Sequence, residues 1–228
     1  MSEARNQILT TLRRNLKRGP AQGELRQQLE ARLNQPQSNL IPARAQLPRA
    51  EQIELFVTMA HESAATLQRV KNPEEIPQAI SAFVAQQQQL PADIVLAPAQ
   101  ELADLPWQTQ KDLRIHNRQV QNGDKITVAP AFAGIAETGT LMLLSGPDSP
   151  TSLNFLPDIH IVILSAETIV GTYEDAFTRL RECRQRMPRT VNMITGPSRS
   201  ADIEQTLQLG AHGPIQVHII LLQPDTVL

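Results

Sequence analysis

The stretch HIVILSAETIVGTYEDAFTRLRECRQRMPRTVNMI, residues 160–194, decides the fold. It begins with an apolar run, His160–Leu164, long enough for a buried strand. Tyr173–Met187 then carries Ala176, Phe177, Leu180, Cys183 and Met187 on one side at helical spacing. Thr190–Ile194 is a second short apolar run. Strand, helix, strand is the unit from which covered parallel sheets are built.

The pattern continues in both directions. Downstream, Gly196-Pro197 turns the chain, Ser200–Leu209 reads as a helix, and Gln216–Leu222 as a strand. Upstream, Asp93–Ala97, Lys125–Val128 and Thr140–Leu144 read as further strands. Before these, Asn72-Pro73 opens a helix with Ile76, Ala79, Ile80, Phe83 and Val84 on one side. A broad apolar face over Glu51–Val70 predicts another helix. The expected fold class is α/β.

The first 49 residues read differently. Ile8, Leu12 and Leu16, then Leu25, Leu29 and Leu33, recur every four residues on two helices separated by Gly19-Pro20. Such narrow stripes suit helices that lie on something else. Pro36, Pro42 and Pro48 mark an extended linker. The expected organisation is an N-terminal helical arm with its linker over 1–49 and an α/β domain over 50–228.

Charge follows this division. Residues 1–50 hold nine basic and three acidic residues, net +6; residues 51–228 hold twelve basic and twenty acidic, net −8. Together these make the net charge of −2. The arm lacks interleaved aromatics and long basic runs, so nucleic-acid binding is not expected. Docking of the arm on its own body or on a partner is. The apolar runs are too short to span a bilayer. The N-terminus has no signal-peptide core, and a cytoplasmic location is expected. The single cysteine, Cys183, can neither close an intrachain disulfide nor hold an iron–sulfur cluster. The five histidines form no close metal-ligand pair. No metal or cofactor is expected. Cys183 reads as inert core, and Trp107 as a loop anchor.

Three segments are candidates for chemistry. Gly134–Thr140 offers a tight turn before a strand. Glu137 there is a general base, a nucleophile, or a turn carboxylate that caps amides. The backbone at Thr138, Gly139 and Thr140 and the two hydroxyls can hold an anion. In the second segment, Gly196, Ser198, Arg199 and Ser200 lie between a strand and the expected helix start. Free amides and the Arg199 fork suit a small carboxylate or phosphate. An ordinary capped helix start is the alternative. In the third, His212 sits in a loop between Gly210 and Gly213, as an acid–base group or as a partner for a backbone carbonyl.

The run Ala136-Glu-Thr-Gly-Thr140, then Leu156-Pro-Asp-Ile-His160, Gly196-Pro-Ser-Arg-Ser200 and His212-Gly-Pro214, resembles the lactate utilisation (LUD) domain family. Order and spacing match its lactate utilisation protein C (YkgG-like) branch. The resemblance implies a three-layer α/β sandwich like that of ribose-5-phosphate isomerase, glucosamine-6-phosphate deaminase and the coenzyme A transferases (the NagB/RpiA/CoA transferase-like group). It also implies a role in oxidising L-lactate to pyruvate beside bacterial partner subunits that carry iron–sulfur clusters. It supplies no established catalytic residue. The other reading is a free-standing isomerase or transferase with Glu137 as its base or nucleophile.

Overall fold

The computed structural model describes residues 3–34, 40–183, 186–201, 207–209 and 212–225. The chain divides into two compact units, Met1–Leu40 and Ile41–Leu228. The first holds α1 (Glu3–Asn15) and α2 (Gly23–Asn34). Neither helix has a buried residue, and both leucine stripes are exposed. The second unit begins inside the proline-bearing stretch. Ala45 is buried, and Arg49 donates from its guanidinium to the carbonyls of Ile169 and Ala166.

From there run α3 (Arg49–Glu62), β1 (Thr66–Val70), α4 (Ile76–Gln86), β2 (Ala92–Leu96), α5 (Gln100–Ala103) and β3 (Leu113–His116). Next come β4 (Ile126–Pro130), β5 (Ala133–Ile135), β6 (Thr140–Leu144), α6 (Ser152–Phe155) and β7 (Ile159–Ser165). The rest are β8 (Ile169–Val170), α7 (Tyr173–Cys183), β9 (Val191–Ile194), β10 (Arg199–Ala201), β11 (Leu207–Leu209) and β12 (Gln216–Leu222). Among the described residues no helix is long and apolar enough to cross a membrane.

Six strands form one all-parallel sheet in the order β1-β12-β7-β4-β2-β3. Central strands buried on both faces need near-continuous apolar runs, and the buried stretches of β2, β4, β7 and β12 supply them. Register sorts their side chains. Thr127, His160 and Val217 share one face, where Thr127 Oγ1 donates to Leu153 O of α6 at 2.7 Å. Val128, Ile161 and His218 share the other, where the His218 ring stacks on Phe83 of α4 with centroids 3.8 Å apart.

A second sheet, β8-β5-β6-β9, pairs antiparallel except where β8 joins β5. Its period-2 alternation serves two cores. Leu141 and Leu143 join the main core, while Ala133, Ile135, Met142 and Leu144 form a smaller one with Ala176 and Leu180 of α7. The fold is α/β, as expected.

Three sequence expectations are corrected. The helix read over Glu51–Val70 ends at Glu62. Ala64 adopts φ +62°, which stops the helix, and Thr66–Val70 becomes an edge strand on β12. Of the stretch read as a helix over Ser200–Leu209, the described ends pair as antiparallel strands, with Arg199 opposite Leu209 and Ala201 opposite Leu207, and residues 202–206 lie outside the described residues. Ladder bonds between the strands thus take up backbone groups that a helix would have paired within itself. Gly210, read as its C-terminal glycine, lies outside the described residues. Cys183 is exposed at the end of α7, because the buried face stops at Leu180. Trp107 anchors its loop by donating Nε1–H to Leu102 O at 2.7 Å.

Candidate functional site

Strand order locates a crevice. The chain passes from β2 out to the edge strand β3, then returns to β4 on the other side of β2. Connections diverge there, and open α/β sheets place ligands at the carboxyl ends of strands beside such a point. The carboxyl ends of β2 and β4 border a cleft of about 420 Å³ lined by Ala99, Gln100, Glu101, Pro130, Ala131, Phe132, Leu144, Asp148 and Ser149. A smaller, more apolar cavity of about 220 Å³ adjoins it along the ends of β4, β7 and β12 and shares Glu101, Pro130 and Ala131. The Trp107 bond to Leu102 holds α5, and with it Glu101, in place.

The cleft's chemistry follows from its lining. Glu101 and Asp148 bring carboxylates, and among the described residues no Lys, Arg or His lines it. Gln100 is turned to Asp104, donating Nε2–H at 2.7 Å. Ser149 Oγ is buried without a partner among the described residues. Phe132 has the Arg179 guanidinium 5.6 Å from its ring centroid, within cation–π range. A neutral or cationic group fits this lining better than an anion.

The segments singled out in the sequence meet elsewhere. Thr140 Oγ1 lies 2.7 Å from Thr138 Oγ1, 2.7 Å from Thr195 Oγ1 and 3.0 Å from the Tyr173 hydroxyl. Four hydroxyls thus join the start of β6, the residue after β9 and the first residue of α7. Glu137 is buried, and its Oε1 accepts the Tyr173 backbone N–H at 3.1 Å. It therefore acts on the N-terminus of α7, where a negative charge is favourable. Thr172 and Asp175 complete that terminus as a reciprocal capping pair.

Two glycines seat these turns on α3. Gly139, at φ +64°, packs on the backbone of Met59 and Ala60, and Gly196, at φ +72°, on the carbonyl of Ser63. A side chain at either has no room. Ser198 lies beside the third segment: its N–H donates to Pro214 O at 2.8 Å. Three residues separate it from Thr195, at most about 11 Å of chain. His212 is exposed, as is Arg199 on β10, and Ser200 pairs with Gln208. Arg199–Ala201 form a strand, so the helix start expected at Ser200 is not among the described residues.

None of these residues lines the cleft. Thr140 begins β6 and Leu144, a cleft residue, ends it, about 13 Å away along the strand. Sequence reading missed Glu101, Phe132, Asp148 and Ser149. The signal for the first was its place just after the apolar run Asp93–Ala97, at a strand's carboxyl end.

The opposite edge of the sheet carries a polar depression of about 690 Å³ lined in part by Asp93, His116, Arg118 and Asp124. Both of its carboxylates are engaged. Asp93 bonds His116 and Arg114, and the Arg118 hydrogen bond holds the Asp124 carboxyl down at about 2.

Two buried histidines lie in the main sheet. His160 is fully buried with neither ring nitrogen hydrogen-bonded among the described residues, and desolvation pushes it down to about 3. His218 Nδ1 meets Thr66 Oγ1 at 2.7 Å, and desolvation pushes that ring down to about 4.

The sheet, its crossover and the cleft define an α/β protein with a ligand-sized crevice at the carboxyl edge of a parallel sheet. The model of the LUD domain matches residues 53–222, and the chain belongs to that family. Similar proteins include an uncharacterised protein of Neisseria meningitidis serogroup B, 38% identical over 97 residues, covering 42% of each chain. The lactate utilization protein C of Anoxybacillus flavithermus is 39% identical over 88 residues, 39% of each chain. That of Geobacillus thermodenitrificans is 31% identical over 130 residues, 55% of this chain and 52% of the relative. The match thus spans about half the length of these relatives, or less. The crystal structure of a DUF162 family protein from Deinococcus radiodurans aligns with a TM-score of 0.54 at 21% identity, over 77% of this chain and 99% of that one. At that identity the likeness concerns the fold.

Proposed function

We propose that this chain is the redox-inactive subunit of a bacterial L-lactate utilisation system, acting in the cytoplasm beside iron–sulfur subunits. One observation carries the reading: the family match runs through the α/β body, and several relatives bear the lactate utilisation name. Oxidation of L-lactate to pyruvate removes two electrons and two protons. A chain with one cysteine cannot hold an iron–sulfur cluster to receive them, so the electrons go to the partner subunits.

Electrostatics divides the remaining work. Lactate is an anion, and Glu101 and Asp148 disfavour it in the cleft. The carboxylate is instead met by the exposed Arg199, with Ser198 and Ser200 beside it. The cleft takes a neutral or cationic group. The rival, a free-standing isomerase or transferase, needs Glu137 as base or nucleophile. That carboxylate is buried and engaged in holding α7.

The test is affinity purification of the tagged chain from its native cell grown on L-lactate. Stoichiometric co-purification of iron–sulfur proteins is expected. Recovery of the chain alone, turning over a phosphorylated or carboxylate metabolite, contradicts the reading.

A further inference from the structure

Two sets of exposed apolar side chains are left over. Within the first unit, Ile8, Leu12 and Leu16 on α1 and Leu25, Leu29 and Leu33 on α2 are 41–80% exposed. Within the second unit the described residues include four exposed large apolar side chains, and three of them cluster. Phe155, Leu156 and Ile215 are 42–59% exposed. They lie near one another, where α6 ends and β7 and β12 begin. Ile215 N–H donates to Asp158 O at 2.9 Å, and a Cβ on Gly213 would stand 4.0 Å from the Phe155 ring. Exposed apolar groups gathered in one place mark interaction surfaces, whereas scattered ones do not.

We infer that the leucine stripes of one copy of this chain dock on the Phe155–Leu156–Ile215 patch of a second copy, in a reciprocal arm exchange. Charge selects this pairing over the alternatives. Residues 1–50 carry +6, so arm against arm sets like charges together, and residues 51–228 carry −8, so body against body does the same. Arm against body is complementary, and exposed Asp158 sits at the patch. Size points to reciprocity. A stable interface buries about 1,200–2,000 Å², more than one patch of three side chains provides. A twofold exchange counts each arm and each patch twice.

The test uses the full-length chain in light scattering coupled to size exclusion, with thermal unfolding as the folding control. The wild type runs as a dimer whose dissociation constant rises at least tenfold from 50 mM to 500 mM salt. The double substitution Leu12→Glu/Leu29→Glu gives a monomer, and so does Phe155→Glu/Ile215→Glu. Mixing the two monomeric variants leaves one intact arm–patch pair in place of two, so the mixture forms only a weak heterodimer, with a dissociation constant at least tenfold above that of the wild type. A wild type monomeric at every concentration up to about 100 μM overturns the inference, as does a patch variant that remains dimeric. A mixture that dimerises as tightly as the wild type overturns the reciprocal exchange as well. If a variant loses its cooperative transition, Leu12→Gln/Leu29→Gln and Phe155→Gln replace it, under the same expectations.

Discussion

Thr140 Oγ1 lies 2.7 Å from Thr195 Oγ1 across 55 residues of sequence. Through this pair the two most distinctive motifs of the chain meet as a structural clasp. Thr140 is fully buried and uses its hydroxyl on three neighbours, which is all that one donor and two lone pairs allow.

Thr140→Val keeps the shape and removes the hub. The expected cost is about 1–2 kcal/mol, a fall in Tm of roughly 2–8 °C for a chain this size. Thr195→Val, at an exposed position, costs less. Equal melting of wild type and Thr140→Val in calorimetry contradicts the clasp.

The glycine turns separate two physical effects. Gly139→Ala and Gly196→Ala suffer both a left-handed φ and a collision with the backbone of α3's end. Each loses about 3 kcal/mol or more. Gly123→Ala has φ +98° but open space around it, and it loses about 1–2 kcal/mol. Chemical denaturation of the three variants ranks them, and a Gly123 loss as large as the others removes the packing argument.

Much of this was legible in advance, and the reasons differ by element. β6 and β12 were read to the residue because strands buried in a sheet core leave unbroken apolar runs. β1 was not, since Thr66–Val70 continues the apolar spacing of α3 and the break is a backbone angle at Ala64. The β10–β11 pair was misread because three-residue strands carry too little periodicity to compete with a helical pattern. The two motif turns meet through Thr140 and Thr195, but the sequence could not show that Glu137 is engaged with Tyr173. The cleft was invisible because its lining comes from four separated stretches that only strand order brings together.

Glu137→Ala should destabilise the protein by about 1–3 kcal/mol, the cost of leaving the Tyr173 N–H without its acceptor, and Glu137→Gln by less. Lactate oxidation per folded complex should be unchanged in both. A fully folded Glu137→Gln protein with abolished turnover makes Glu137 catalytic and favours the isomerase or transferase reading.

Acid should destabilise the body through its buried histidines. His160 titrates near 3 when folded and near 6.5 when unfolded, so the unfolded chain binds the proton first as pH falls. The stability is fully present above about 6.5 and is lost on the way down to about 3, at up to about 1.4 kcal/mol per pH unit. His218 adds a similar loss between about 6.5 and about 4. Thermal unfolding from pH 7 to pH 4.5 should show a shallower acid limb in His160→Leu than in wild type. Parallel limbs contradict the assignment.

We propose that this chain serves L-lactate oxidation without a redox centre of its own. The most direct test is L-lactate-dependent dye reduction in extracts of the native organism with the gene deleted. The expected result is loss of this activity, restored by adding back the purified chain and not by Arg199→Ala. Extracts of the deletion strain that oxidise L-lactate to pyruvate at the wild-type rate would contradict it.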